Sequence, residues 1–310
     1  MRTDAVLLER PGSLSIAPVD LIPPAAGDVV VDVEVSGVST GTERLLWSGE
    51  MPPFPGLGYP LVPGYEAVGR VVVSDDEDTL VGGRVFVPGA SCYRDVRGLF
   101  GASAARLVVP ARRAVPVGNL GAEEATLLAL AATAQHALAG GAPPDLVVGH
   151  GALGRLLARL TIAAGAPAPT VWEREPSRRG GSLGYPVIDA ADDGRRDYRS
   201  VYDVSGDASL VDALVQRLAP GGEVVLAGFY KDRVSFAFPP AFMREARFRT
   251  AAEWKPADMA AVQGHLAAGR LSLDGLVTHR SPASAAEAAY RAAFGDAGCL
   301  KMILDWSATR

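Results

Sequence analysis

The chain has 310 residues, of which 48% are hydrophobic and 21% charged, and its net charge at pH 7 is −5. This composition and length are typical of a globular protein of about two domains, and the negative charge does not favour nucleic-acid binding. The two cysteines cannot build a disulfide framework or a four-cysteine zinc site. There is no apolar run of membrane-spanning length and no apolar core of a signal peptide. We therefore expect a soluble cytoplasmic protein.

The N-terminal part, residues 1 to 118, has the pattern of a β-rich domain. Apolar residues alternate over 29–35, 69–74 and 84–87, as in half-buried strands. A loop rich in proline and glycine, residues 51–64, interrupts this pattern. The loop also carries large apolar side chains, namely Phe54, Leu57, Tyr59 and Leu61. Two interpretations stay open, a loop that packs on its own core or one wall of an apolar ligand site.

A dinucleotide-binding fingerprint occupies residues 145–173. An apolar run, 146–148, predicts a short strand, and three glycines with G-x-G-x-x-G spacing follow it, Gly149, Gly151 and Gly154. Leucines at three- and four-residue steps then predict an amphipathic helix. A second strand, 169–172, ends at Glu173, at about the 20-residue distance from the last glycine that the fingerprint requires.

Each part of this fingerprint has a physical role. Gly149 allows the tight turn, Gly151 lets the backbone approach a pyrophosphate, and Gly154 lets helix and strand pack closely. The amides at the helix N-terminus favour the negative charge of the phosphates. A carboxylate at Glu173 can accept both ribose hydroxyls, which favours NAD over NADP. His150, inside the turn, is a candidate phosphate contact.

Strands and helices alternate around this fingerprint. One or two apolar helices are predicted over 118–140, and further strands over 187–189, 201–206 and 223–228. Before the last of these strands, the pattern predicts a helix with Leu210 to Leu218 on one face and then a turn at Pro220-Gly221-Gly222. The alternation predicts a doubly wound parallel sheet with its ligand at the carboxyl ends of the strands. Leu153 and Ser205 are further cofactor-binding candidates.

The C-terminal part is predicted to hold helices over 257–268 and 283–294 and a last strand over 300–304. We interpret His136 as a satisfied core residue, and His265 and His279 as helix-surface and loop positions.

Four segments give the chain a family resemblance: SGVSTGTE (36–43), VPGYEAVGRVV (62–72), ATLLALAATAQHAL (125–138) and LVTHRSPASAAEAAYRA (276–292). In this order they resemble the medium-chain dehydrogenase/reductase superfamily over essentially the whole chain. The resemblance implies an α/β fold, with a Rossmann doubly wound parallel sheet plus a GroES-like β-rich catalytic domain. The implied domains are the catalytic domain at 1–118, the NAD-binding domain at 119–270 and a return to the catalytic domain at 271–310.

The metal positions depart from this resemblance. The catalytic zinc of the superfamily is held by a cysteine, a histidine and a third cysteine, and here those positions hold Thr40 (or Ser39, one residue earlier), Tyr65 and Ala129. None of these is a plausible zinc ligand, because zinc prefers thiolate, imidazole or carboxylate. Glu66 remains, but a single acid does not hold a metal. We expect no catalytic zinc.

Within the superfamily, the segment 39–66 is strongly similar to the 3-hydroxyethyl bacteriochlorophyllide a dehydrogenases. This resemblance implies oxidation of a 1-hydroxyethyl group on a chlorin ring to an acetyl group, with NAD as the acceptor, in bacteriochlorophyll biosynthesis. Two alternatives stay open: a zinc-free NAD(P)H quinone or enone reductase, and a non-catalytic binder of pigment or nucleotide.

Without zinc, side chains must bind the alcohol oxygen and accept its proton. The candidates lie at the former metal positions: Tyr65, with Glu66 behind it, and the hydroxyl groups of Ser39, Thr40 and Thr42. The alternative that Tyr65 only fills the space of the missing histidine stays open.

The resemblance also implies contacts to cofactor and substrate. Thr133 would orient the nicotinamide, and an apolar cleft for the macrocycle could be lined by Trp47, Phe54, Leu57 and Tyr59. The propionate of the pigment would favour an arginine, either Arg44 or Arg94. Arg178 and Arg179 leave a 2′-phosphate site open, although Glu173 favours NAD. A homodimer is the default assembly of the superfamily.

Overall fold

The protein is described by a computed structural model that covers residues 1–75 and 81–309. By packing, the chain forms two compact units, one of Met1–Ala129 with Leu276–Arg310 and one of Leu130–Gly275. The domain boundaries expected at residues 118 and 270 stay a prediction. Over the described residues, no helix is both long and apolar enough to cross a membrane.

The regular elements follow one another in an order that changes from β-rich to alternating. The strands are β1 (Arg2–Arg10), β2 (Ser13–Asp20), β3 (Asp28–Val38), β4 (Leu61–Val62), β5 (Ala67–Ser74), β6 (Arg84–Val87), β7 (Arg97–Gly98), β8 (Arg106–Pro110), β9 (Val115–Pro116), β10 (Leu146–Val148), β11 (Thr170–Trp172), β12 (Val187–Ile188), β13 (Tyr198–Asp203), β14 (Leu218–Leu226), β15 (Arg247–Thr250), β16 (His279–Pro282) and β17 (Met302–Asp305). The α-helices are α1 (Thr42–Ser48), α2 (Ala122–Ala125), α3 (Leu128–Ala139), α4 (Ala152–Ala163), α5 (Val211–Val215), α6 (Phe238–Met243), α7 (Pro256–Ala267) and α8 (Ala286–Gly295).

The first unit is built on antiparallel pairing around β3. One sheet has the order β2-β1-β4-β7, and another has the order β16-β17-β3-β5-β6-β9, with β8 also pairing with β3. β17 brings the end of the chain back to β3, where Leu304 pairs with Ser36. The indole nitrogen of Trp306 then donates to Ser36 Oγ at 2.9 Å. Because Trp306 is fully buried in the core, this return is part of the packing of the first unit.

The second unit contains a parallel sheet in the order β12-β11-β10-β13-β14-β15. This is the strand order of a doubly wound Rossmann sheet, which binds its ligand where the order reverses. Here the reversal lies between β10 and β13. The predicted α/β fold, with a Rossmann sheet and a β-rich unit, is confirmed.

The prediction for the region after β13 is wrong in its details. α5 covers only Val211–Val215, and Leu218, predicted on that helix, already belongs to β14. The residues 220–222, predicted as a turn, lie inside β14, where the pairing with β13 jumps from Tyr198↔Leu218 to Ser200↔Glu223. The intervening residues bulge out of the ladder, so Pro220 is not required to donate a hydrogen bond to β13. His279, predicted in a loop, lies in β16.

Candidate functional site

The glycine turn of the second unit lies at the carboxyl edge of the parallel sheet. Val148 pairs with Trp172 on one side and with Asp203 on the other. The segments that follow these residues therefore begin at the same edge, and they carry Gly149 and Glu173. This edge, at the point where the strand order reverses, is where a dinucleotide binds in such sheets.

The three glycines have different structural requirements. Gly149 has a φ of 103°, which favours glycine. A Cβ on Gly154 would overlap the carbonyl oxygen of Gly149, whereas a Cβ on Gly151 would meet no atom within 4 Å. Gly151 precedes α4, a helix of 12 residues, and Leu153 lies half-buried in its first turn. Open space over Gly151 beside a helix N-terminus fits a pyrophosphate.

Glu173 is held by backbone amides at the end of β11. The amide of His150 donates to Glu173 Oε2 at 2.9 Å, and the amide of Glu175 donates to Oε1 at 2.9 Å. Each carboxylate oxygen can still accept a second hydrogen bond. The side chain is therefore fixed in place and retains acceptor capacity for ribose hydroxyls.

Arg179, which raised the possibility of a 2′-phosphate site, is engaged within the protein. Its Nε donates to the carbonyl oxygen of Glu173 at 2.8 Å, and its guanidinium also pairs with Asp189. A phosphate would have to compete with Asp189 for this guanidinium.

The imidazole of His150 is fully buried and bonded on both sides. Nδ1 lies 2.7 Å from the carbonyl oxygen of Arg178, and Nε2 lies 2.9 Å from the hydroxyl of Tyr185. Burial, with the nearby charge of Arg155, lowers the pKa of His150 to about 4, so the ring is neutral at pH 7. The predicted phosphate contact would require these bonds to break.

Two buried arginines of α4 were not predicted as structural residues from the sequence. Arg155 is buried and donates to the carbonyl oxygens of His150, Arg178 and Gly181 at 2.9–3.1 Å. It therefore ties the loop after β11 to the glycine turn. Arg159, one turn later, is also buried. The available signal was a pair of arginines four residues apart inside a leucine-rich helix.

The remaining cofactor candidates lie in the same unit. Ser205 is exposed, its amide donates to Asp203 Oδ1 at 2.8 Å, and its Oγ accepts from the amide of Asp207 at 3.1 Å. A Cβ on Gly149 would lie 3.5 Å from the amide nitrogen of Ser205, so Ser205 adjoins the glycine turn. Thr133 lies half-buried on α3. Its predicted contact with nicotinamide stays a prediction.

In the first unit, the structure brings Ser39 and Tyr65 together. Ser39 follows β3 and Tyr65 precedes β5, and these strands pair so that Ser36 lies opposite Ala67. The Tyr65 hydroxyl donates to Ser39 Oγ at 2.7 Å. Burial and the charge of Glu66 raise the pKa of Tyr65, while its hydrogen bonds with Ser39 and Thr42 lower the pKa in part. Tyr65 therefore stays protonated at neutral pH.

The other candidate hydroxyl groups lie in the turn that follows Ser39. Thr40 is half-buried in this turn, and Thr42 begins α1. Thr42 also lies close enough to Tyr65 to lower its pKa through a hydrogen bond. The four predicted hydroxyl groups therefore belong to one local structure.

Glu66 lies in the core and faces away from solvent. Its Oε2 forms an ion pair of 2.5 Å with Nζ of Lys301, and both side chains are at most 1% exposed. A Cβ on Gly37 would overlap this carboxylate, so the close approach of β3 requires glycine. Burial raises the pKa of Glu66, and Lys301 lowers it. Lys301 was not predicted from the sequence, although a lysine inside the apolar run Leu300 to Leu304 could have indicated a buried ion pair.

A second buried carboxylate, Glu43, lies beside this pair. Its Oε2 accepts from the amide of Ser39 at 2.6 Å, and its Oε1 accepts from the hydroxyl of Tyr290 at 2.6 Å. Neither Glu43 nor Tyr290 is exposed at all. Neither residue was predicted from the sequence, and Tyr290 comes from α8, far along the chain from Glu43.

An aromatic cluster extends from Tyr65 toward the apolar loop. The ring of Phe100 contacts that of Tyr65 edge-to-face at 5.5 Å and that of Phe54 at 6.0 Å. Phe54 is exposed at 37%. Phe54 and Tyr65, both predicted from the sequence, are thus joined through Phe100, which the sequence analysis missed.

The other predicted substrate contacts are divided between core and surface. Trp47 is half-buried against Phe294, with ring centroids 5.7 Å apart. Leu57 and Tyr59 pack on the core of the unit, and the Tyr59 hydroxyl donates to the carbonyl oxygen of Leu46. The arginines suggested for the propionate, Arg44 and Arg94, are both exposed.

Comparison with known proteins places the chain in a family. Residues 25–119 match the alcohol dehydrogenase GroES-like domain. A relative from Cereibacter sphaeroides is 58% identical over 317 residues, covering 100% of both chains, and is named 2-desacetyl-2-hydroxyethyl bacteriochlorophyllide A dehydrogenase. A relative of the same name from Rhodobacter capsulatus is 56% identical over 310 residues, covering 99% of each chain. The chain belongs to this family, within the medium-chain dehydrogenase/reductase superfamily.

A solved structure supports the fold. A short chain alcohol dehydrogenase from Escherichia coli CFT073, complexed with NADH, is similar with a TM-score of 0.84. The similarity covers 98% of this chain and 99% of that chain, at 21% sequence identity. At this identity the likeness concerns the fold alone.

The residues at the superfamily's zinc positions do not fit a zinc ion. Thr40 or Ser39, Tyr65 and Ala129 offer neither thiolate nor imidazole, and the methyl side chain of Ala129 has no atom that could bind a metal. Over residues 1–75 and 81–309, no three His, Cys, Asp or Glu side chains are grouped so that they could hold a metal ion. What the structure has in this place is the hydrogen-bonded hydroxyl pair of Ser39 and Tyr65.

Proposed function

We propose that this protein oxidises the 3-(1-hydroxyethyl) group of a (bacterio)chlorophyllide a to a 3-acetyl group, a step of bacteriochlorophyll a biosynthesis. The observation that carries the proposal is the 58% identity, over the full length of both chains, to a relative named for a hydroxyethyl bacteriochlorophyllide dehydrogenase. Family membership makes the chain an oxidoreductase that acts on a CH–OH group. The substrate is therefore a small molecule, a chlorin pigment.

The cofactor of this reaction is a nicotinamide dinucleotide, and we propose NAD. The glycine turn, the N-terminus of α4 and the open space over Gly151 would hold its pyrophosphate. Glu173, fixed by two backbone amides, would accept the ribose hydroxyls. The pairing of Arg179 with Asp189 supports NAD over NADP.

The choice of NAD can be tested with Glu173→Arg. The variant removes the acceptor for the ribose hydroxyls and adds a positive charge, so kcat/KM for NAD⁺ should fall and preference should move toward NADP⁺. Asp192→Arg makes the same change of charge at an exposed position of the same unit and is the control. An unchanged cofactor preference in Glu173→Arg would show that the ribose is bound elsewhere.

We propose that the oxidation proceeds without catalytic zinc. Bound NAD would supply the acceptor for the hydride of the carbinol carbon, and the hydroxyl proton would have to leave the oxygen as the carbonyl forms. Tyr65 stays protonated at neutral pH, since its pKa is raised, so it serves as a hydrogen-bond donor and relay rather than as a phenolate base. Ser39 Oγ accepts from Tyr65 and retains its own hydrogen for another acceptor. The alcohol would donate its hydrogen to the Tyr65 oxygen while Tyr65 passes its own hydrogen to Ser39 Oγ, and Ser39 would pass its hydrogen on to water. Thr40 and Thr42 are the neighbouring hydroxyl groups.

The aromatic cluster supports a planar, apolar substrate beside these hydroxyl groups. Phe54 and Phe100 continue the edge-to-face contacts that begin at Tyr65, and aromatic rings offer large apolar area to a macrocycle. In this proposal Trp47, Leu57 and Tyr59 support the wall from the core. Arg44 is the proposed partner of the propionate.

The test is an assay of purified protein with hydroxyethyl (bacterio)chlorophyllide and NAD⁺. We expect a shift in the absorption of the pigment together with stoichiometric NADH. Oxidation of NADPH by small quinones without any reaction of the chlorin would instead identify a quinone or enone reductase. Binding of pigment or NADH with no product would identify a non-catalytic binder. The last two results contradict the proposal.

We also propose a homodimer, formed through the edge of the parallel sheet. β15 ends the strand order of that sheet, and edge strands offer unpaired backbone groups to another chain. Beside it lies an exposed apolar surface in which Phe238 and Met243 are 68% and 77% exposed. Large exposed apolar patches of this kind mark interfaces. The surface is formed by one charged residue, Glu245, and by the apolar residues Phe236, Phe238, Ala241, Phe242, Met243, Ala246 and Phe248.

Light scattering after gel filtration tests the dimer. We expect the mass of a dimer for the unmodified protein and of a monomer for the double variant Phe238→Lys with Met243→Lys. Val73→Lys, at an exposed apolar position of the first unit, should leave the dimer intact. A monomeric unmodified protein would refute this assembly.

The cytoplasmic location expected from the sequence stays a prediction.

A further inference from the structure

A buried carboxylate with no role in the proposed reaction lies next to the hydroxyl pair. Glu43 contributes one oxygen to the amide of Ser39 and the other to the hydroxyl of Tyr290, both at 2.6 Å. Ser39 is therefore held twice, at its amide by Glu43 and at its hydroxyl by Tyr65.

The position of Glu43 in the chain explains why this contact fixes the turn. β3 ends at Val38 and α1 begins at Thr42, so Ser39 lies in the short turn between them. Glu43 reaches back from the first turn of α1 to the amide of Ser39. This closes the turn on itself and leaves Ser39 little freedom to move its hydroxyl relative to Tyr65.

The groups around Glu43 keep it in the core. Tyr290 comes from α8, and Glu66 and Lys301 are the residues directly before β5 and β17. Burial, with the charge of Glu66, raises the pKa of Glu43 to about 7, whereas the hydrogen bonds from Ser39 and Tyr290 and the charge of Lys301 lower it. Elements from both ends of the first unit therefore meet at one carboxyl group.

We infer that Glu43 is a positioning residue for the proposed oxidation, which fixes the hydroxyl of Ser39 against Tyr65 by holding the Ser39 amide and is itself held by Tyr290. The inference rests on the proposed function. Glu43 does not touch the substrate, since it is completely buried. It keeps the Ser39 hydroxyl group in place, and even small displacements of reacting groups lower the reaction rate strongly.

Three variants separate positioning from charge. Glu43→Met has a similar volume and no strong acceptor, so it releases the Ser39 amide. Glu43→Gln keeps an amide oxygen for Ser39, and Tyr290 can reverse its hydrogen bond to accept from the new NH₂ group. Tyr290→Phe leaves Glu43 in place but removes one of its two partners.

Kinetics with pigment and NAD⁺ give the first readout. We expect Glu43→Met to lower kcat by about 10–100-fold with KM for both substrates nearly unchanged, as for a misplaced group that acts in the transition state. Glu43→Gln should retain most of kcat, and Tyr290→Phe should lie between them. The control is Tyr198→Phe, because Tyr198 also donates from a buried position to a carboxylate, Asp193, at 2.6 Å, and it should keep full kcat.

The amide proton resonance of Ser39 in the full-length protein gives the second readout, and it does not depend on turnover. It should lie downfield in the unmodified protein and in Glu43→Gln and move upfield in Glu43→Met. If Glu43→Met does not fold, Tyr290→Phe decides, with a lower kcat supporting the inference and an unchanged kcat opposing it.

Two further results would overturn the inference. One is a Ser39 amide proton that keeps its downfield chemical shift in Glu43→Met. The other is an upfield shift of this proton in Glu43→Met while kcat stays unchanged. A Glu43→Gln variant as slow as Glu43→Met would show that charge, rather than position, is required. Absence of turnover by the unmodified protein would contradict the proposed function itself. An upfield shift of the Ser39 amide proton with unchanged kcat would contradict this inference alone.

Discussion

Replacing Tyr65 by phenylalanine removes one hydroxyl group and little else. The ring would keep its edge-to-face contact with Phe100, and Ser39 Oγ would lose the hydrogen bond of 2.7 Å that it now accepts. A hydrogen bond of this kind contributes about 1 kcal/mol to stability, so the folded protein should survive the change. The reaction should suffer more, because the Tyr65 hydroxyl is the proposed link through which the proton leaves the alcohol oxygen.

The expected loss of rate follows from that role. Removing a positioned side chain that takes part in proton transfer costs about 100-fold or more in rate, and 100-fold corresponds to about 2.7 kcal/mol of activation free energy. We expect this loss in kcat for pigment oxidation, with KM for NAD⁺ unchanged. A packing role for Tyr65 predicts instead a small loss of stability with full kcat.

Steady-state kinetics and thermal unfolding, measured on the same preparations, distinguish the two roles. The control is Tyr202→Phe, whose hydroxyl donates to the carbonyl oxygen of Ala142 at 2.8 Å in the second unit. It should lower stability by a similar amount and leave kcat as it is. If kcat of Tyr65→Phe stays within about twofold of the unmodified protein, less than 0.5 kcal/mol, Tyr65 is a packing residue and the proposed relay is wrong.

Three further predictions concern the folded protein. Gly154→Ala should lower the melting temperature of the protein, because the new methyl group would overlap the carbonyl oxygen of Gly149. Gly151→Ala has open space around its Cβ, so it should leave the melting temperature unchanged and weaken NADH binding in a fluorescence titration. Equal melting temperatures of the two variants would refute this distinction. Glu66→Gln should lower the free energy of unfolding by about 3–5 kcal/mol, because it leaves a buried ammonium without its partner, and the double variant Glu66→Met with Lys301→Met should recover most of this in urea unfolding; no recovery would refute the argument. Because the pKa of Glu43 is raised from 4.5 to about 7, the folded state binds the proton more tightly, so this group's contribution to stability is complete below pH 4.5 and is lost as pH rises to 7. The difference in unfolding free energy between the unmodified protein and Glu43→Gln should therefore change by about 3 kcal/mol over that range, and a constant difference would contradict the pKa shift.

The nucleotide-binding half of the fold is predictable because its signals are local. The strand, the glycines, the helix and Glu173 follow one another within one βαβ unit, and each has a distinctive pattern. The bulge in β14 is not predictable in this way, because Pro-Gly-Gly is typical of a turn and only the pairing with β13 keeps it in the strand. The orientation of His150 is equally hidden, since its partners Arg178 and Tyr185 lie in a loop without periodic pattern.

The catalytic half shows a different limit. Sequence similarity located Ser39 and Tyr65, because both stand at known positions of the superfamily. It did not locate the groups around them. Glu43 lies four residues after Ser39, but the local pattern does not show that its side chain turns back to the Ser39 amide. Tyr290 and Lys301 reach Glu43 and Glu66 only after β17 and α8 return to the first unit. Long-range contacts of this kind depend on tertiary packing, and no window of sequence contains them.

The central claim, oxidation of the pigment by a hydroxyl pair without zinc, is tested most directly by turnover on protein of measured metal content. Purified protein is dialysed against a strong zinc chelator, its zinc is determined by mass spectrometry, and its rate with hydroxyethyl (bacterio)chlorophyllide and NAD⁺ is measured before and after zinc is added back. We predict full turnover with far less than one zinc per chain and no gain on adding zinc. Turnover that disappears with the chelator and returns in proportion to bound zinc would contradict the account.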